Sequence, residues 1–590
     1  MLDKLSAIFE RPWIYCALII VKAAFVAQLV MGGTLVGNDD YMRITQVSDL
    51  IEGQAWFDTH QDRFITDEGG DIHWSRVPDI GIAAFYMLVR PLMGHEQSLQ
   101  FAALAWPTFL FCGLILVLVS LLKRMGAGAA GIIFALVVIL NSYGGDQFQA
   151  GRVDHHGLNI LLALTALRLL IAAPLWTAAL AGVLIMAMVS IAIETLPLVF
   201  GLLLVFGLSW VANPERQGVR LGVLGGSLVA SAGLFFILDA PGPDLAVRAV
   251  CDAYGTGHFA AIGVGGLGLV VLSVLQRSSV TAPILATYWG RILAGAIVGG
   301  LGLAALVLVA PYCLASPYAD VPELVKTQWL NRVTEARSFF ADVEARGALA
   351  LARYFVPFAS LLAGLWWLRQ AAPEARETLQ AILIVLAVAL LVAVWQVRGL
   401  TAATLFAALP AAVVFDHAFK SWRQKGGPEP LAAALACCVA LAPVIPIQIG
   451  SKLSPPPNAS PLNLQGEVAD CTAPASIAPL RDLPSGLVLA HIDYGAPLLH
   501  LTDHKIVSAP YHRNISGIAA YYEAIGSETD EQFLDRVRAI GANYVLVCDN
   551  GRTAGLENGR IKQSLVAGDP LSGLTPIALS ETPLRIFRVD

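Results

Sequence analysis

About thirteen long apolar runs constrain this chain more than any other feature. A helix needs about 20 apolar residues to cross a hydrocarbon core of about 30 Å. Runs of that character lie near 13–35, 99–122, 128–143, 157–174, 175–193, 195–211, 219–238, 259–276, 283–311, 349–368, 378–397, 400–415 and 431–449. Only 14% of the 590 residues are charged and 56% are hydrophobic, against about 25% charged in a soluble domain. That balance excludes an ordinary cytosolic enzyme and a disordered protein. The formal net charge of -6 excludes a basic nucleic-acid binder. The chain reads as a polytopic α-helical membrane protein.

Positive charge orients it, because Lys and Arg concentrate in short cytoplasmic loops. Lys4 and Arg11 precede the first run, which lacks a signal-peptide cleavage pattern before Asn38 and reads as a retained helix. With the N-terminus cytoplasmic, the inner loops carry Lys123 and Arg124, Arg168, Arg216 and Arg220, Arg277, Arg369 and Arg376, then Lys420, Arg423 and Lys425. An odd number of spans places the C-terminal region outside, in what is expected to be a bacterial inner (plasma) membrane. Three outer loops follow, at about 38–97, 142–156 and 311–348. Ile80–Met93, too short and too close to Pro78 and Pro91 to span, is expected to form an interfacial helix. Domain limits are therefore 1–450 for the membrane part and 451–590 for the remainder. The latter opens with the linker-like Ser454–Pro455–Pro456–Pro457–Asn458. Beyond it, β-rich runs (Leu487–Ile492, Tyr544–Cys548, Leu584–Val589) alternate with helical stretches at 514–524 and 530–540, predicting a small extracytoplasmic α/β domain. Of eight Cys, Cys16, Cys112, Cys437 and Cys438 sit in apolar runs as small core hydrophobes. Cys471 and Cys548 share the polar tail and are candidates for a disulfide there.

Polar clusters mark the outer ends of the spans, where ionisable groups are costly and usually functional. Asn38–Asp39–Asp40–Tyr41 places two adjacent carboxylates after the first run; read alone, they equally suit a solvated helix cap. Asp154–His155–His156, with Asp146 before it, offers a carboxylate and an imidazole two residues apart for a divalent ion, and Asp154 fits an N-cap as well. Asn331–Arg332–Val333–Thr334–Glu335–Ala336–Arg337 is by itself a polar loop. Arg398 opens the twelfth span, placed either to snorkel or to hold a phosphate. All four clusters fall on one predicted face. Three carboxylates and one imidazole meeting there would make an oxygen-rich site suited to Mg²⁺ or Mn²⁺. Lys22 and Arg291 are the main intramembrane charges outside this pattern.

In order and character these clusters resemble the catalytic subunit of oligosaccharyltransferase, a GT-C-fold glycosyltransferase with thirteen spans and an extracytoplasmic domain. Asn38–Tyr41 resembles that family's first acidic motif, and Glu52–Gly53, Trp56–Phe57–Asp58 and His73–Trp74 follow its pattern. Asp154–His155–His156 resembles the second, DxD-like motif in its archaeal form. Val333–Thr334–Glu335 resembles the motif that ends in a metal-proximal Glu, and Val397–Arg398, before Pro410, the segment whose Arg contacts donor phosphates. The resemblance implies catalytic roles for Asp39, Asp40 and Glu335, and metal ligation by Asp39, Asp154, His156 and Glu335. It implies donor-phosphate binding by Arg398. The family's WWDYG motif is reduced here to His491–Ile492–Asp493–Tyr494–Gly495, without either Trp. Asp493, Tyr494 and Gly495, with His512 and Arg513 nearby, are then candidates for acceptor binding.

The implied activity moves a sugar or oligosaccharide from a polyprenyl phosphate or diphosphate donor to an acceptor at the outer face of the membrane. The acceptor is a protein or, given the lost Trp pair, a glycolipid or polysaccharide. A transporter or flippase of lipid-linked sugars is the reading from another class, although transporters tend to place their polar groups near the bilayer midplane.

Overall fold

The computed structural model describes residues 10–29, 35–64, 70–315, 321–454, 471–548, 559–569, 571–579 and 582–590. The 455–458 part of the expected linker lies outside these residues. The apolar runs form helices α1 (Pro12–Leu29), α4 (His95–Arg124), α5 (Ala129–Leu140), α6 (His156–Leu170), α7 (Leu175–Ile191), α8 (Leu196–Ala212), α9 (Pro214–Leu238), α10 (Thr256–Leu275) and α11 (Tyr288–Val309). The series continues with α12 (Ala348–Trp367), α13 (Pro373–Trp395), α14 (Gly399–Lys425), α15 (Pro428–Leu441) and α16 (Val444–Leu453). Between α1 and α4 lie α2 (Asn38–Glu52) and α3 (Val77–Val89).

Every apolar run is thus helical, but not every helix is long. Among the described residues eight helices are long and apolar enough to cross a membrane, and α15 with α16 makes a ninth if that pair, bent by 55°, counts as one. The bend falls at Pro443, whose ring cannot continue the hydrogen-bond ladder. Helix α5, at 12 residues, is much shorter than its run, because the chain leaves it at Asn141 for the 3₁₀ turn Gly145–Phe148. Helix α14 is the most buried of the long helices and α11 the least. Leu293, Ile297, Leu301 and Leu308 of α11 point outward, an apolar face that only lipid or another apolar surface can cover. The chain is an integral membrane protein.

Residues 471–590 build a five-stranded mixed sheet from β1 (Leu487–Ala490), β2 (Lys505–Ile506), β3 (Tyr544–Cys548), β4 (Leu574–Ile577) and β5 (Leu584–Val589). The order is β2-β1-β3-β5-β4, with β2, β1 and β3 parallel and β5 and β4 antiparallel. Helices α17 (Ile492–Leu501), α18 (Ile515–Ile525), α19 (Asp530–Ile540) and α20 (Arg560–Ala567) complete the region. Because side chains alternate across a strand, the sheet feeds two cores. Val488, Ala490, Tyr544 and Leu546 share one with α17 and with Tyr41, Met42, Phe64, Ile72 and Trp74 of the 35–94 segment. Leu487, Leu489, Val545 and Val547 share the other with α18, α19 and α20 and with Val321 and Val325. Burial on both faces accounts for the unbroken apolar run Tyr544–Cys548.

The first of these cores makes the 35–94 segment part of the sheet region. Arg63 donates from its guanidinium to the carbonyls of Thr502 (2.6 Å) and Leu499 (2.6 Å), and its own carbonyl accepts from Ile506 N–H (2.9 Å). Helix α3 occupies the place expected of an interfacial helix. It buries Ile82, Tyr86 and Val89 and leaves Met87 and Leu88 outward.

Two disulfides are present, Cys471–Cys548 and Cys251–Cys313, and the second pair carried no signal in spacing. The four Cys within apolar helices are free. Alkylation of denatured, unreduced protein is accordingly expected to modify four cysteines and, after reduction, all eight. A mass spectrum showing more than four before reduction would contradict the pairing.

Candidate functional site

The short connectors at one end of the helices bring three of the four polar clusters into a common electrostatic field, and hydrogen bonds tie in the fourth. Helix α2 begins with Asn38 and carries Asp39 and Asp40 in its first turn. Their side chains diverge. Asp40 is fully buried and accepts from the backbone N–H of Gly37 (3.0 Å), Val153 (2.7 Å) and Asp154 (3.0 Å) and from Arg152 Nη1 (3.2 Å). With its oxygens so bonded, it fastens α2 to the 152–154 loop. Asp39 keeps part of its surface. Burial, then the charges of Asp154 and Glu335, push its carboxyl up to about 6, against the opposing pull of Arg152 and His156. Asp39, Asp154, His156 and Glu335, three segments apart in sequence, therefore act on one another.

Asp154 stands just before His155, the cap of α6. Its Oδ1 accepts the His156 N–H (3.0 Å), the local bond of a residue that starts a helix. Its Oδ2 faces Arg152 Nη2 (2.7 Å) and His156 Nε2 (3.9 Å). Against burial, which raises it, His156 and Arg152 hold this carboxyl below its ordinary value.

Glu194 was not anticipated. It lies in the 3₁₀ turn Ile193–Thr195 between α7 and α8, and its Oε1 meets His156 Nδ1 (3.2 Å) and His155 Nε2 (3.4 Å). Its Oε2 accepts from Arg398 Nη1. One carboxylate so links the DxD-like motif to Arg398, the residue just before α14. Arg398 N–H donates to the Glu335 carbonyl (3.0 Å) and Val397 N–H to that of Arg337 (2.8 Å), so the 333–337 loop is pinned to the same corner. A lone acid between two apolar runs was the available signal.

The predicted acceptor residues sit elsewhere. Asp493 is exposed in the first turn of α17, whereas Tyr494 and Gly495 are buried in the core shared with α2. A Cβ on Gly495 would lie 2.2 Å from the Ser508 carbonyl oxygen. His512 and Arg513 both engage Asp252, in the α9–α10 connector: Nε2 of His512 at 2.8 Å, and Nε and Nη2 of Arg513 at 2.8 and 3.0 Å. Neighbouring Tyr511 donates its hydroxyl to the Asn38 carbonyl (3.1 Å), next to Asp39. Its ring stands edge-on to Trp74, which carries Arg43 over its face at 4.5 Å.

Among the described residues, two groups of three offer ligand atoms within 4.8 Å of one another: His155, His156 and Glu194, and His73, Asp252 and His512. The expected set of Asp39, Asp154, His156 and Glu335 is not drawn that close. Both compact groups are richer in nitrogen than the oxygen-rich site expected from sequence.

No protein-family model matches the chain, and no curated protein matches it in sequence. Solved structures do. The chain is similar to the archaeal oligosaccharyltransferase AglB from Archaeoglobus fulgidus in complex with an inhibitory peptide and a dolichol-phosphate. The TM-score is 0.61 at 15% identity, over 90% of this chain and 69% of that one. Archaeoglobus fulgidus oligosaccharyltransferase in complex with Zn and sulfate gives 0.57 at 15% identity, over 91% and 68%. The same enzyme tethered to an acceptor peptide containing the NVT sequon gives 0.58 at 15%, over 90% and 69%. At this identity the likeness is one of fold, and the fold is of the GT-C kind.

Gly495→Ala is expected to destabilise the protein by about 1–3 kcal/mol, the usual cost of overpacking a tight site. Thermal unfolding would read this as a lower midpoint; an unchanged midpoint would contradict the close approach to Ser508.

Proposed function

We propose that a chain with this fold is a membrane glycosyltransferase of oligosaccharyltransferase type, taking its sugar from a polyprenyl-linked phosphate or diphosphate. The observation that carries this reading is that Asp39, Asp154, His156 and Glu335 feel one another's charge, with Arg398 joined to His156 through Glu194. In this reading the nine long or bent-pair spans and four of the shorter apolar helices make thirteen passes. The clusters and residues 451–590 then lie outside and the N-terminus in the cytoplasm. The disulfides support that orientation, since Cys251, Cys313, Cys471 and Cys548 would all face an oxidising compartment.

The residues suit a divalent cation. Burial, then the charges of Asp154 and Glu335, raise the Asp39 carboxyl to about 6, and a cation there would offset both. His156, fixed at Nδ1 by Glu194, presents Nε2 towards Asp154. Mg²⁺ or Mn²⁺ is the expected ion, and zinc fits the nitrogen-rich neighbours. Bound by Asp39, Asp154, His156 and Glu335, such an ion supplies Lewis-acid stabilisation of charge on the departing phosphate. Arg398 adds a fixed guanidinium for phosphate oxygens, with Glu194 setting its direction. Asp39, on the partly open side, orients or deprotonates the acceptor nucleophile. Asp40 supports both by holding α2 against the 152–154 loop.

For the acceptor, loss of both tryptophans from His491–Gly495 and the burial of Tyr494 favour a glycolipid or polysaccharide over an asparagine sequon. Asp493, exposed in the first turn of α17, remains open to that role. A flippase reading gains no support from charges gathered at helix ends.

Asp39→Ala and Asp154→Ala are each expected to abolish cleavage of a polyprenyl-linked donor by purified, membrane-inserted protein. Full activity in both variants would end the transferase reading. Glu194→Gln keeps the size of the side chain but weakens its hold on His156 and Arg398, and is expected to lower turnover about 10–100-fold, the usual effect of removing a group that orients a ligand. Turnover within twofold of the parent protein would assign Glu194 no part in the site.

A further inference from the structure

We propose that His73, Asp252 and His512 form a second, structural cation site of zinc type that clamps the sheet region to the connectors of the helical part. The three residues come from different segments: His73 from the stretch before α3, Asp252 from the α9–α10 connector, and His512 from the loop between β2 and α18. Their ligand atoms all lie within 4.8 Å of one another. The His73 and His512 rings are 4.4 Å apart between centroids, and His512 Nε2 is 2.8 Å from Asp252 Oδ2.

Two imidazoles and one carboxylate are a characteristic zinc set, with a fourth position left for water. His73 offers a ring nitrogen to the same small volume as His512 and Asp252. Arg513 grips both oxygens of Asp252, and its neighbour Cys251 is tied to Cys313. The carboxylate is therefore held in place from two sides, as the outer partners of metal ligands usually are. Each carboxylate oxygen has two lone pairs, so Oδ2 can serve Arg513 and a cation together.

The clamp's position gives it consequence. Tyr511, adjacent to His512, bonds the Asn38 carbonyl at the start of α2, and Trp74, adjacent to His73, lies 6.5 Å from the His155 ring between centroids. An ion here would brace the wall that carries Asp39 and His155. This inference stands on its own ligands and does not need the transferase reading.

The test is zinc content, by mass spectrometry, of the full chain in detergent after chelator stripping and dialysis against zinc. His73→Gln/His512→Gln is expected to carry one equivalent less than the parent protein and to lose the zinc-dependent rise in thermal midpoint. Unchanged zinc content in that double variant overturns the clamp. Should the double variant not fold, Asp39→Asn/Asp154→Asn, whose clamp residues are intact, is expected to retain one equivalent; retention of none overturns it equally. A loss confined to the His variants, with none in the Asp variants, would leave the clamp standing and count against the cation of the proposed transferase site.

Discussion

Repulsion among Asp39, Asp154 and Glu335 is the constraint on which the polar end of this molecule depends. Like charges repel the more strongly the lower the local dielectric, so a fold that gathers carboxylates must also supply cations. Arg152 does so between Asp40 and Asp154, and His156 does so between Asp154 and Glu194. Arg398 closes the series on Glu194. Each link joins connectors that are far apart in sequence, so the charges that threaten the arrangement also hold it together. At Asp39, burial first and then the charges of Asp154 and Glu335 outweigh the pull of Arg152 and His156, and its carboxyl stands at about 6.

The sheet region is the second part of that arrangement. Its core takes in Tyr41 and Met42 of the same α2 that carries Asp39, and Trp74 of the stretch that carries His73. Arg63 and Phe64 lie along β2, which ties the 35–94 segment to the sheet edge. A displacement of the sheet region would therefore move the first acidic motif directly. This mechanical link gives the sheet region a role in shaping the site even where Tyr494 and Gly495 are buried.

Much of this was legible in the sequence, and the gaps have physical causes. Strands β3 and β5 and helices α18 and α19 stand where their patterns put them: β3, buried throughout, is an unbroken apolar run, β5 mixes buried apolar residues with Arg585 and Arg588, and the helices bury one face at a 3.6-residue period. Strand β2, two residues long, and β4, with Pro576, are too short or irregular to carry a pattern. Ile492 extends an apolar run but starts α17, because His491 caps it through Nδ1. Asp39, Asp154, His156, Glu335 and Arg398 were legible as candidates because each stands within a recognisable motif. Glu194 and Asp252 were missed because each is a lone acid in a connector, and only its partners reveal its place. Asp40 has the same chemistry as Asp39, one residue away, yet a helix turns adjacent side chains about 100° apart. Resemblance to the family's first acidic motif favoured Asp39, and periodicity alone did not separate the two.

The position of a bound manganese ion tests the central claim most directly, because manganese can be located by its anomalous scattering in crystals of the full chain. The account predicts a peak bounded by Asp39, Asp154, His156 and Glu335, with those side chains drawn closer than they stand here. A peak held by His155, His156 and Glu194 without Asp39, or no peak at this end of the helices, would contradict it.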